Sequence, residues 1–195
     1  MHFFIEKKNK QFNNPFMWCV IKADSFYNLI LNYDKIDFSN FEISKSNFNG
    51  TSNKLDIFKI IVDNLIEAHY IHHHFHKDYS KVYVKDIDVF YNKIWEYIVE
   101  KYEERIKRIN DKPTFLILGE TTNSGFNLET EEKILKIKTP YKIILITKYK
   151  QLLNYNDDTH LIIFDDTYRN GGKGNHLPDY YCDKHYNQIN DFISN

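Results

Sequence analysis

Three short apolar runs in the carboxyl-terminal half constrain the chain most: Thr114–Leu118, Tyr141–Thr147 and His160–Phe164. Each is dominated by Ile, Leu and Phe, and each is too short for a core helix. That pattern reads as a strand buried on both faces. Helical stretches separate the runs. Leu128–Ile137 has helical character, Tyr149–Leu153 reads as a short helix, and Asp183 stands as the cap of a final helix to about Ile193. Strands alternating with helices imply a parallel sheet. In such a sheet, ligands sit just beyond the carboxyl ends of the strands. The turns Glu120–Gly125 and Asp165–Asp166 are therefore the first places to look for chemistry.

The amino-terminal half is less regular. His2–Ile5 reads as a short strand, Asn13-Asn-Pro15 as a turn, and Pro15–Cys19 as a dense apolar knot. Asp24 is placed to cap a helix in which Phe26, Leu29, Ile30 and Tyr33 share one face. Asp34–Gly50 reads as an irregular connection. The stretch 56–75 fits two forms. Ile57, Ile60, Ile61 and Leu65 would line a helix, but Ile57–Val62 is β-branched and Asp63-Asn64 suits a tight turn, which favours a β-hairpin. Lys81–Val84 alternates like a strand. Beyond it, Asp86 and Asp88 place negative charge at the start of a long helix. Val89, Tyr91, Ile94, Trp95, Ile98, Tyr102 and Ile109 mark its expected buried side. Glu100, Lys101, Glu103, Glu104, Arg105, Lys107 and Arg108 read mostly as its solvated face. The expectation is an α/β fold, a mainly parallel sheet flanked by helices with an N-terminal β-hairpin elaboration, in one domain over residues 1–195, with a flexible loop at 168–181.

At 195 residues the chain can bury roughly two-thirds of its unfolded surface without disulfides or a structural metal. Its 26 Lys and Arg balance 27 Asp and Glu, so net charge does not favour nucleic-acid binding. The two cysteines, Cys19 and Cys182, are far apart and fit a reducing compartment. Met1–Lys10 lacks the apolar core of a signal peptide, and no run approaches the roughly eighteen apolar residues that span a bilayer. A soluble, cytoplasmic protein is expected.

Three segments carry candidate chemistry. His69-Tyr-Ile-His72-His-His74-Phe-His76 is the densest, and on a strand His72, His74 and His76 share a face. No His-Glu-x-x-His or paired-Cys motif accompanies them, so no metal ligands are assigned; a polar strand end is the structural alternative. Glu120-Thr121-Thr122-Asn123-Ser-Gly125 offers a carboxylate, hydroxyls and an amide at a strand end, without the Gly-Lys-Ser/Thr of a phosphate loop. It serves equally as an ordinary connection capping the next helix. Asp165-Asp166 leads into a loop whose Arg169, Lys173 and His176 could close over an anionic substrate. Catalytic roles fall to His72 as base, with Glu120 or Asp165 orienting a sugar or cation. Thr121, Thr122, Asn123, His69, His74, Asp166, Arg169 and Lys173 are the substrate-binding candidates. No cofactor is indicated. Cys19 precedes a helix, where a nucleophilic thiolate could form, but its neighbours Phe16, Met17, Trp18, Val20 and Ile21 suit a buried, inert thiol. Cys182 lies near His185 at a helix start, but nothing else there completes a dyad.

The order of several pieces resembles a bacterial exopolysaccharide biosynthesis protein family, a domain of unknown function. The matching residues are Asn14-Pro-Phe-Met-Trp18, the Asp24–Tyr33 helix, Ile66–His72, Tyr102–Ile109 and Pro113–Leu118. The Pro-Phe-x-Trp element and the Tyr-x-x-Arg-x-x-Arg helix are also similar to a family described as papain-like cysteine peptidases. Those families carry a Cys ahead of the Pro-Phe element, whereas Met1–Asn13 contains none. The resemblance implies a role in making or modifying cell-surface glycans and carries over no established reaction. The expectation is an accessory or transferase-like protein of capsule or exopolysaccharide synthesis, acting on an activated sugar or glycan in association with other polysaccharide-biosynthesis proteins. A cysteine hydrolase using Cys19 and a non-catalytic glycan- or protein-binding module are the alternatives.

Overall fold

The structure, a computed structural model, describes residues 15–16, 19–46, 57–70, 87–109, 111–118, 126–165 and 184–194. Its strands are β1 (Cys19–Ile21), β2 (Phe41–Ser46), β3 (Ile57–Val62), β4 (Ile66–Tyr70), β5 (Thr114–Leu118), β6 (Lys142–Thr147) and β7 (His160–Phe164). Its α-helices are α1 (Ala23–Asn32), α2 (Ile87–Ile106), α3 (Leu128–Leu135) and α4 (Tyr186–Ser194). Short 3-10 helices cover Tyr33–Lys35 and Lys150–Tyr155. The expected strands at His2–Ile5 and Lys81–Val84, and the loop at 168–181, lie outside the described residues.

The strands form two sheets. β5, β6 and β7 are parallel, in that order, and β1, β4, β3 and β2 make an antiparallel sheet of four strands. The second sheet is larger than the hairpin elaboration read from sequence. Part of the reason is β2: the stretch 34–50, expected to be irregular, contains a six-residue strand paired along its length with β3. Between β3 and β4 the chain turns through Asp63 and Asn64, both at positive φ, and Leu65 N–H closes the turn on the Val62 carbonyl. Asx residues tolerate that conformation far better than β-branched ones. Asp63 also accepts hydrogen bonds from the Asn40 amide (3.0 Å) and the Asp37 N–H (3.3 Å), tying the turn to the segment before β2.

The parallel sheet is covered on both faces, which explains its unbroken apolar runs. Phe115, Ile117, Ile143, Leu145 and Ile162 belong to the main core, with Ile134 and Leu135 of α3 and Leu152 of the second 3-10 helix. The alternate residues Leu116, Ile144, Ile146 and Ile163 pack with Ile189, Phe192 and Ile193 of α4. Lys142 fastens the end of α4 by donating to the carbonyls of Phe192 (2.7 Å) and Ile193 (3.1 Å). On the outer edge of β7, the Asn156 side chain accepts from the Ile162 N–H (2.7 Å) and approaches its carbonyl with its own amide (3.5 Å). An edge satisfied in this way offers less of a template to another strand.

The main core continues into the antiparallel sheet through Phe58, Ile60, Val62, Ile66 and Ala68. Aromatic rings bridge the two: Phe26 of α1 and Tyr33 both meet Phe115 edge-on, at 6.0 and 5.6 Å, and Tyr141 meets Tyr33 at 5.3 Å. On α2, Ile94, Ile98 and Tyr102 are buried as expected, but Trp95 is 44% exposed. Arg105, assigned from sequence to the solvated face, is buried because it continues the same stripe one turn on. Asp24 lies inside the first turn of α1 rather than capping it; Lys22 holds the cap position without a side-chain bond. Asn127 does cap α3, in a reciprocal pair with Thr130 (3.0 and 2.8 Å).

Candidate functional site

The carboxyl edge of the parallel sheet gathers buried polar side chains on both faces. Asp165 directly follows β7, and its N–H still bonds the Thr147 carbonyl across to β6 (2.9 Å). Strand alternation puts its side chain on the face of Leu161 and Ile163, which α4 covers. There a single oxygen, Oδ2, accepts from Lys184 Nζ at 2.6 Å and meets His185 Nε2 at 2.8 Å. Lys184 and His185 immediately precede α4, whose fourth residue Ile189 bonds back to the His185 carbonyl (3.0 Å). Asp165 is only 3% exposed, while the His185 side chain keeps 15% and reaches solvent. A buried carboxylate that orients a partly open imidazole is the arrangement of a general acid–base pair.

On the opposite face, the Thr147 hydroxyl donates to Glu131 Oε2 of α3 at 2.7 Å and accepts the Tyr149 N–H at 3.1 Å. Glu131 is 1% exposed. Because the Thr147 oxygen already accepts from the backbone, its one proton is directed at the carboxylate. The two clusters flank one strand end, joined through the Thr147–Asp165 backbone bond.

No protein-family model, curated protein or solved structure matches the chain significantly.

His69 lies on β4, facing away from the main core, with Nε2 2.8 Å from Glu67, which is itself 3.7 Å from Lys59 of the neighbouring strand. Burial pushes the His69 imidazole below its ordinary value, against the upward pull of Glu67. His69 meets Glu67 on the antiparallel sheet, whereas Asp165 meets Lys184 and His185 just ahead of α4. The structure therefore does not join these two sequence candidates within the described residues. His72, His74, Glu120, Thr121, Thr122, Asn123, Asp166, Arg169 and Lys173 lie outside them, as do Cys182 and Asp183.

Cys19 is buried in the main core, where burial drives its thiol up to about 12 despite the opposing charge of Arg105. A thiol held that far from thiolate is a poor nucleophile. A third imidazole–carboxylate pair, His160 Nδ1 with Asp157 (3.0 Å), stands at the amino end of β7, opposite the edge that binds ligands in parallel sheets. Burial would raise the Asp157 carboxyl, but bonds from Thr159 and His160 outweigh it and hold it at about 2. Among the described residues no group of three His, Cys, Asp or Glu could hold a metal, and no helix is long and apolar enough to cross a membrane.

Sequence reasoning named Asp165 as a candidate but not Lys184, His185, Glu131 or Thr147. The parity of β7 does place Asp165 on the Ile163 face. What sequence does not show is that the final helix, rather than another, covers that face.

Proposed function

We propose that this chain is a cytoplasmic enzyme of cell-surface polysaccharide synthesis, a transferase that moves an activated sugar onto a glycan hydroxyl, with His185 as general base and Asp165 as its orienter. The observation that carries the catalytic part is the His185–Asp165 contact at the carboxyl edge of the parallel sheet. In the proposed step, the acceptor hydroxyl gives its proton to the His185 imidazole. The freed oxygen bonds the anomeric carbon of the donor, and the nucleotide leaves with the bonding electron pair. The parallel sheet is the platform for this chemistry and the antiparallel sheet the elaboration. The glycan assignment rests on the resemblance of the Pro-Phe-Met-Trp and Tyr102–Ile109 segments. Other polysaccharide-biosynthesis proteins are its expected partners. Here His185 takes the role that sequence alone gave to His72, because it is the imidazole seated on Asp165. The cysteine-hydrolase alternative is disfavoured by the burial of Cys19.

A thermal-shift screen with nucleotide-sugars, coenzyme A and divalent cations identifies the donor. A ligand at about a hundredfold over its Kd stabilises the folded state by about 2.7 kcal/mol. With the donor known, His185→Gln is expected to lower kcat by roughly 10²–10⁴-fold, the range of a positioned acid–base group, with little change in the donor's thermal shift. Asp165→Asn should lower kcat as well. A chain that no activated sugar stabilises, or whose turnover survives His185→Gln, is instead a binding module without this chemistry.

A further inference from the structure

The acid–base reading of His185 leaves open which ring nitrogen takes the proton, and the neighbouring ammonium decides it. Lys184 Nζ and His185 Nε2 converge on the same oxygen of Asp165, at 2.6 and 2.8 Å. An ammonium has donors and no acceptor, so Oδ2 must accept from it. An adjacent positive charge also favours the ionised carboxyl, and an ionised carboxylate can only accept. His185 must then present a hydrogen on Nε2. In a neutral imidazole the other nitrogen carries the lone pair. Nδ1 of His185 has no hydrogen-bond partner among the described residues, and the side chain retains access to solvent.

We infer that Lys184 is a positioning residue: it keeps Asp165 a carboxylate, fixes His185 as the Nε2–H tautomer, and leaves Nδ1 as the proton-accepting atom for a substrate hydroxyl or water. The inference rests on His185 being the base of this site. The ammonium favours the charged carboxyl and burial disfavours it, so removing Lys184 shifts the balance toward the neutral form. A neutral carboxyl donates to Nε2 and forces the ring hydrogen onto Nδ1, which blocks the atom that should take the substrate proton.

Imidazole nitrogen chemical shifts report the tautomer directly, without any substrate. At alkaline pH, where an imidazole is neutral, wild type should show His185 with its hydrogen on Nε2. Lys184→Met should move the hydrogen to Nδ1 or mix the two forms, with the backbone amide spectrum unchanged. Lys184→Arg, which still donates to Oδ2, should restore the wild-type tautomer. Wild type with its hydrogen on Nδ1 overturns the inference, and needs no variant to fold. So does a Lys184→Met protein with the wild-type tautomer. A correct tautomer in a chain that transfers no sugar would instead remove the proposed function and leave the device standing.

Discussion

Glu131 shows how a buried carboxylate leans on a hydroxyl donor. Its carboxylate is buried, and the Thr147 hydroxyl serves it at 2.7 Å. Thr147→Val keeps the shape and removes the proton, so stability should fall by about 1–3 kcal/mol, the cost of leaving a buried acceptor short of a partner. Glu131→Gln leaves an amide carbonyl that can still accept from Thr147 and should cost less. Urea midpoints at unchanged m value check the order, and equal losses would show that the hydroxyl is not the donor that matters. His69 gives a pH test of the same kind. Its folded-state imidazole lies below the ordinary 6.5, chiefly through burial, so the unfolded chain takes up the proton first. The associated stability is present above 6.5 and is lost as pH falls through the lowered value. Wild type should therefore lose more stability than His69→Gln as pH falls from 6.5 through the lowered value. Parallel pH profiles for the two proteins would contradict it.

At the scale of elements, the β3–β4 turn is the most exacting joint. Asp63 and Asn64 have φ of 51° and 55°, a region that costs a bulky L-residue roughly 1–2 kcal/mol. Asn64→Val should therefore destabilise by about that amount, whereas Asn64→Gly should be nearly neutral. Thermal unfolding of the two variants distinguishes them, and a neutral valine would mean that the turn is not left-handed. Asp63 is less replaceable than its neighbour, since it also holds Asp37 and Asn40.

Across the whole molecule, one apolar cluster runs from Phe58 and Ile66 of the antiparallel sheet to Phe115 and Ile143 of the parallel one. Phe115 sits at the crossing, in edge contact with Phe26 and Tyr33. Phe115→Ala should cost about 3–5 kcal/mol, the usual range for removing a buried aromatic. Because both sheets share the loss, circular dichroism and tryptophan fluorescence should report one coincident urea transition, moved to lower concentration. Two separated transitions would show that each sheet keeps its own core.

Sequence by itself determined the three strands of the parallel sheet, because strands covered on both faces must be apolar throughout. It determined the amphipathic helices, and Asp63-Asn64 as a turn, because few residue pairs accept left-handed backbone. It could not show β2, whose Phe41 and Ile43 make an apolar alternation too short to stand out from a connection. Nor could it show that Arg105 is buried and Trp95 exposed, since the packing of neighbouring elements sets the borders of a helical stripe. The candidate site follows the same division. Asp165 was legible from its place after an apolar strand. Lys184 and His185 join it only because Ile189, Phe192 and Ile193 bring the last helix onto the Ile163 face, and that pairing of distant surfaces is a property of the tertiary fold.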